Sequence, residues 1–181
     1  MNVYGFVGLP GSGKSEAAAV ARDLGIPVVT MGDVIRQECR DRGLDPATEH
    51  GRVAQALREE NGKDAIAERS LPLIETATED ADAGTVVVDG IRSDIEVDRF
   101  EEAFGDAFAL VRIDAPFETR AERLELRGRD AGSEDGGEAL EERDSRELDF
   151  GMGEAMDRAD LDIENDGSLD AFRREIRELL T

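Results

Sequence analysis

The 181-residue chain has one cysteine, one histidine, two lysines and no tryptophan, and aromatic residues make up only 4% of it. Each shortage removes a class of protein. A lone Cys39 excludes an internal disulfide framework and fits a reducing cytoplasm. His50 and Cys39 together cannot build a structural zinc site within the chain. No apolar run approaches the ~20 residues of a membrane span. The uncharged opening, Met1-Asn2-Val3-Tyr4, does not read as a signal peptide. The expectation is a cytoplasmic protein with no membrane partner. Positive charge is scarce as well: 22 basic residues stand against 44 acidic ones, for a net charge of −22. Such a surface repels phosphate backbones, which sets aside nucleic acid as a partner.

What remains is one globular domain's worth of chain, long enough to bury about 70% of its unfolded surface. Apart from Lys14 and Lys63, every basic residue is arginine, and the acids run along the whole length. Excess acid with little lysine is the composition of a halophilic protein, whose self-repulsion molar salt screens over about 3 Å.

Short β-branched runs alternate with helical patterns. Asn2–Val7, Ile26–Val29, Thr85–Val88, Ala107–Ile113 and Leu161–Glu164 read as strands. Thr85-Val86-Val87-Val88 is too uniformly apolar for a half-solvated sheet and fits a parallel one covered on both faces. Helices are expected over Lys14–Asp23, Asp33–Asp41, Glu49–Glu60, Asp64–Glu79, from Ser93 or Asp94 to Phe104, from Pro116 as first helical residue, and over Leu169–Leu180. Gly43 and Pro46 look like the stop after the second helix. The pattern predicts an α/β fold with a five-stranded parallel sheet in a single domain, 1–181. A helical insertion falls at about 31–80. The Gly- and acid-rich stretch Gly128–Glu142 should be a loop acting as a short lid.

Gly8-Leu9-Pro10-Gly11-Ser12-Gly13-Lys14-Ser15 follows the first strand and opens a helix. Its glycines let backbone N–H groups turn inward around phosphate oxygens, and the helix N-terminus adds its dipole. Lys14 is placed to reach the β/γ-phosphates of ATP, and the Ser15 hydroxyl to ligate Mg²⁺. Asp89, closing the apolar strand Val86–Val88, is the second candidate Mg²⁺ ligand. A charge-spreading phosphoryl transfer needs cations, and in this acidic chain they must be gathered locally. The candidates are Lys14, Arg36, Arg92, Arg123, Arg127, Arg143 and Arg146.

Several of these positions carry a resemblance. Val29-Thr30-Met31-Gly32-Asp33-Val34-Ile35-Arg36 resembles the segment after strand two in adenylate kinases and related nucleoside monophosphate kinases. There a Thr and an Arg grip the acceptor nucleotide, which implies Thr30, Asp33 and Arg36 as acceptor-binding residues. Asp89-Gly90-Ile91-Arg92 resembles the turn whose arginine holds the acceptor phosphate, but it lacks that family's aromatic-Pro pair. Arg123 and Arg127, one helical turn apart, look like the arginines entering the lid, and Arg143 and Arg146 like those leaving it. The lid has no cysteine, so the zinc-bearing lid of some adenylate kinases is not expected. Asn165-Asp166-Gly167 resembles the adenine-contacting loop of monophosphate kinases and dephospho-coenzyme A kinases, implying Asn165 and Gly167 beside the base. Taken together, the P-loop, Gly-Asp-Val, Asp-Gly-Ile-Arg and Arg-Asp pattern is similar to an archaeal family of P-loop kinase-like proteins. The resemblance implies ATP- and Mg²⁺-dependent phosphotransfer to a small nucleotide-like acceptor, a nucleoside monophosphate or dephospho-coenzyme A. A regulatory adenine-nucleotide switch without an acceptor is the alternative; a guanine switch is disfavoured because Asn-Lys-x-Asp is missing. Lys63, beside Gly62 and Asp64 in the insertion, is a weaker substrate-contact candidate. His50, Cys39, Met31, Met152 and Met156 read as structural. Nothing in the sequence sets the oligomeric state.

Overall fold

A computed structural model describes residues 2–80, 84–130 and 139–181. In chain order the elements are β1 (Asn2–Val7), α1 (Lys14–Asp23), β2 (Val28–Thr30), α2 (Met31–Asp41), α3 (Pro46–Asn61) and α4 (Ala65–Asp80). There follow β3 (Thr85–Asp89), α5 (Asp94–Phe104), a 3-10 turn (Gly105–Ala107) and β4 (Phe108–Asp114). The chain ends with α6 (Phe117–Asp130), α7 (Leu140–Phe150), α8 (Met152–Asp157), β5 (Leu161–Glu164) and α9 (Leu169–Leu180). The five strands lie in the order β2-β3-β1-β4-β5, every neighbouring pair parallel. Among the described residues no helix is long and apolar enough to cross a membrane.

The period-two alternation of the central strands explains the layering. Val86 and Val88 of β3 face one core with Val3, Ile35, Leu57, Ile74 and Phe100, while Val87 faces the other with Phe6, Val20, Val111, Ile163 and Phe172. Helices α2–α5 and α8 supply the first layer and α1 and α9 the second. Both faces are therefore dry, which is why these strands read as unbroken apolar runs.

Three expectations shift. Gly43, at φ 70°, follows the end of α2 with Pro46 just beyond it, as expected, but α3 starts earlier than Glu49. Pro46 opens it, its missing N–H harmless at that position, and Asp45 caps the helix by accepting from the Ala47 amide at 3.0 Å. Of the two candidate caps before α5, Ser93 is used, its hydroxyl accepting from the Glu96 amide. The stretch 128–142 is not loop throughout: α6 runs on to Asp130 and α7 starts at Leu140. The rest of the expected lid, 131–138, lies outside the described residues.

Candidate nucleotide and acceptor site

The sheet order places β1 and β3 side by side, and Phe6 pairs with Asp89. The Gly8–Ser15 loop and Asp89 therefore emerge from the same edge. Gly13, just before α1, has φ 120°, open to glycine and strained for other residues, and a Cβ there would collide with the Asn165 amide nitrogen. Among the described residues no side chain caps α1, so its first N–H groups remain for an anion. The Ser12 hydroxyl is fully buried and has no hydrogen-bond partner among the described residues. The Lys14 ammonium donates to the carbonyls of Gly8 and, at 3.2 Å, Leu9. Burial lowers the Lys14 pKa to about 8; Asp89 and Glu147 oppose that shift, whereas Arg92 and Arg120 add to it.

A cleft of about 310 Å³ lies over the loop, lined by Gly8, Pro10–Ser15, Asp89–Arg92, Leu124, Arg143, Glu147 and Met152. It gathers the P-loop with Asp89, Arg92 and Arg143. Leu9 is not in its wall, because the side chain packs against the core. Ser15 is exposed in the first turn of α1, and Asp89 sits close enough to Lys14 to act on its charge. A hydroxyl and a carboxylate beside open space form a hard-oxygen donor pair suited to Mg²⁺, which keeps several waters and substrate oxygens as ligands.

Arg123 and Asn165 stand behind the loop. Arg123 donates to the Gly11 and Ser12 carbonyls, each at 3.3 Å, and to the Asn165 carbonyl at 2.9 Å. The Asn165 side-chain amide donates to the Ser12 carbonyl at 2.8 Å. Both side chains therefore hold the loop's backbone, and Gly167 beyond them has open space where a Cβ would be. The Arg127 side chain lies outside what is described.

Arg120, which the sequence reading passed over, is the deepest brace. It is buried, donates to the Ala115 and Pro10 carbonyls, and forms a two-armed pair with Asp144 of α7 at 2.8 Å on each arm. Its signal was present: 120, 123 and 127 fall on one stripe of a helix.

Beside the cleft, the Gly90 turn packs on the start of α2. Gly90 has φ 105°, and a Cβ there would lie 3.3 Å from that of Met31. Thr30 is the N-cap of α2 and pairs with Asp89 across the sheet, but its hydroxyl makes no capping bond. Asp33 accepts from Arg36 at 2.6 and 2.9 Å on an exposed face, and neither residue lines the cleft. His50 of α3 reaches toward Gly32 with its Nε2 buried and unbonded among the described residues. Burial depresses the His50 pKa, as do the charges of Arg36, Arg92 and Arg58, against an upward push from the Gly32 backbone. Gly32 brings the Arg36 guanidinium and the His50 ring to the same side of the start of α2.

Glu96 is fully buried, accepts from the Arg92 amide at 2.8 Å and faces Arg58 at 3.6 Å, with burial holding its pKa above the ordinary value. Arg58 also lies 4.5 Å over the Phe150 ring. The motif-based reading missed Arg58, Glu96 and Glu147. For Glu147 the i, i+4 spacing from Arg143 was the available sign. Lys63 stands exposed in the turn between α3 and α4. Cys39, Met31 and Met152 are buried in the core, and Met156 packs against it.

Comparison with known proteins follows the same lines. A family model described as an AAA domain matches residues 7–141. A UPF0200 protein of Halobacterium salinarum is 60% identical over 180 residues, covering 99% of this chain and 93% of the relative. Shikimate kinase from Bacteroides thetaiotaomicron superposes with TM-score 0.59 at 16% identity, over 99% of this chain and 98% of that one. APS kinase from Mycobacterium tuberculosis, solved in complex with AMPPNP and APS, gives TM-score 0.54 at 24% identity, over 99% and 96%. The five-stranded parallel architecture is that of P-loop kinases.

Proposed function

The chain belongs to the UPF0200 family of P-loop proteins, and we propose that it is an ATP- and Mg²⁺-dependent kinase acting on a small nucleotide-like acceptor. The acceptor would be a nucleoside monophosphate or dephospho-coenzyme A, and the work would be done in the cytoplasm. The observation that carries this reading is the convergence of Lys14, Ser15, Asp89, Arg92 and Arg143 on one cleft over an uncapped helix N-terminus.

In this reading the backbone N–H groups from Gly8 to Ser15 hold the phosphates of ATP, with Leu9 contributing through its backbone. Ser12 gives its buried hydroxyl a partner there, and Lys14 exchanges its carbonyl bonds for phosphate oxygens. Ser15 and Asp89 would hold Mg²⁺, which would supply charge neutralisation for the phosphates. Arg123, held by its bonds to Gly11, Ser12 and Asn165, keeps the loop in shape, and Asn165 and Gly167 border the adenine. Arg92, Arg127 and Arg143 stabilise the charge on the transferred group. Thr30, Asp33, Arg36 and Arg92 position the acceptor, the first three beside the cleft mouth.

The test is a panel of AMP, CMP, UMP, GMP and dephospho-coenzyme A incubated with ATP and Mg²⁺ at molar KCl. A phosphorylated acceptor is expected. Phosphate release with every acceptor unchanged would make the protein an adenine-nucleotide switch.

A further inference from the structure

The kinase reading leaves one sheltered carboxylate of the cleft without a task. Glu147, on α7, lines the same cleft as Lys14 and Asp89, and its side chain is 12% exposed. Its Oε1 lies 3.7 Å from Arg92 Nη1. Its charge acts on Lys14, which grips the donor, and also on Arg58 of α3. Glu147 thus stands where the donor and acceptor halves meet. The other acid of the cleft wall, Asp89, is assigned to Mg²⁺. Asp33 spends its carboxylate on Arg36 and does not line the cleft.

Such a carboxylate treats the possible nucleophiles differently. An attacking phosphate is itself anionic, needs no base, and would be repelled by Glu147. An attacking hydroxyl is neutral and must lose a proton as its oxygen bonds to phosphorus.

We infer that Glu147 is the general base of this site, and that the acceptor attacks through a hydroxyl while Arg92, on the same cleft wall, holds an anionic group of the same molecule. This rests on the kinase reading above. In the step, the acceptor oxygen forms its bond to the γ-phosphorus while the bond from that phosphorus to the β–γ bridging oxygen breaks. The hydroxyl proton passes to the Glu147 carboxylate, and ADP leaves with the electron pair of the broken bond. Of the two acceptor classes, the chemistry selects the dephospho-coenzyme A type over the monophosphates. The charged groups facing Glu147 are Lys14 on α1, Arg58 on α3, Asp89 and Arg92 at the end of β3, and Arg143 on its own helix.

The experiment compares wild type, Glu147→Gln and Glu147→Asp at molar KCl with ATP and Mg²⁺. The probe acceptors are water, dephospho-coenzyme A and AMP, CMP, UMP and GMP, and binding of Mg-AMPPNP is measured in parallel. Glu147→Gln should lower phosphate release to water, and transfer to the hydroxyl acceptor, by about 10²–10⁴-fold. Glu147→Asp should restore part of the rate, and all three proteins should bind Mg-AMPPNP. Conversion of a monophosphate to its diphosphate would overturn the inference. So would a Glu147→Gln variant within threefold of wild type, or a wild type that binds Mg-AMPPNP yet neither releases phosphate from ATP nor phosphorylates dephospho-coenzyme A. Wild type that binds no Mg-AMPPNP would instead overturn the kinase reading, and the base with it.

Discussion

Raising the pH of the free protein from 7 to 9 should discharge Lys14, because burial holds its pKa at about 8 instead of the ordinary 10.5. A bound triphosphate places negative charge at that ammonium and restores the proton. Binding of Mg-AMPPNP should therefore take up about 0.1 proton at pH 7, about 0.5 at pH 8 and about 0.9 at pH 9. Calorimetric titrations in buffers of different ionisation enthalpy read this number directly as a slope. Lys14→Met should bring it close to zero at every pH. Uptake below about 0.2 proton at pH 9, or equal uptake in the variant, would refute the reasoning. The same shift carries a stability sign. Between pH 8 and 10.5 the unfolded chain holds the proton that the folded chain has released, so unfolding becomes more costly as pH rises, by about 3 kcal/mol across that window. Lys14→Met should flatten that rise in denaturant melts.

Three further outcomes are expected. Arg36→Ala and Arg92→Ala should each lower kcat/KM for the acceptor by about one to two decades while leaving ATP affinity nearly unchanged, with the double variant less than additive in steady-state kinetics. Arg120→Ala leaves Asp144 buried and unpaired, the two side chains being 6% and 13% exposed, and should cost about 3–5 kcal/mol in a thermal or denaturant melt. Asp144→Asn combined with it should then add little. Moving from 3 M to 0.1 M KCl should lower the melting temperature, since the net charge of −22 is screened over about 3 Å at 1 M but about 10 Å at 0.1 M; a flat profile would contradict the halophilic reading.

The fold was legible wherever one residue pattern had one physical cause. β1, α1, β5 and α9 have the expected bounds: β1 is a short apolar run of the sheet centre, β5 a short edge strand that buries Ile163, and the amphipathic α9 shows a repeating stripe. The start of α3 was placed too late because Pro46 was read only as the residue beyond a helix stop, whereas it also suits the first turn of the next helix, which Asp45 caps. In the site, the P-loop and Asp89 were readable from local sequence alone. Arg120, Arg58, Glu96 and Glu147 were not, since in a chain whose basic residues are nearly all arginine and whose acids are everywhere, charge type carries little information. Their roles come from burial and from partners on distant elements, as with Arg120 and Asp144, which lie 24 residues apart. Arg123 shows the complementary case: spacing singled it out as a cation for phosphate, whereas its guanidinium also grips the loop carbonyls.

The central claim is that Gly8–Ser15 holds the triphosphate of the donor. Its most direct test is a titration of Mg-AMPPNP into wild type and Lys14→Met at molar KCl and pH 7, with melting curves of both proteins alongside. The account predicts saturable binding to wild type and about ten- to hundredfold weaker binding to a variant that still folds. Equal affinities for the two proteins would contradict it.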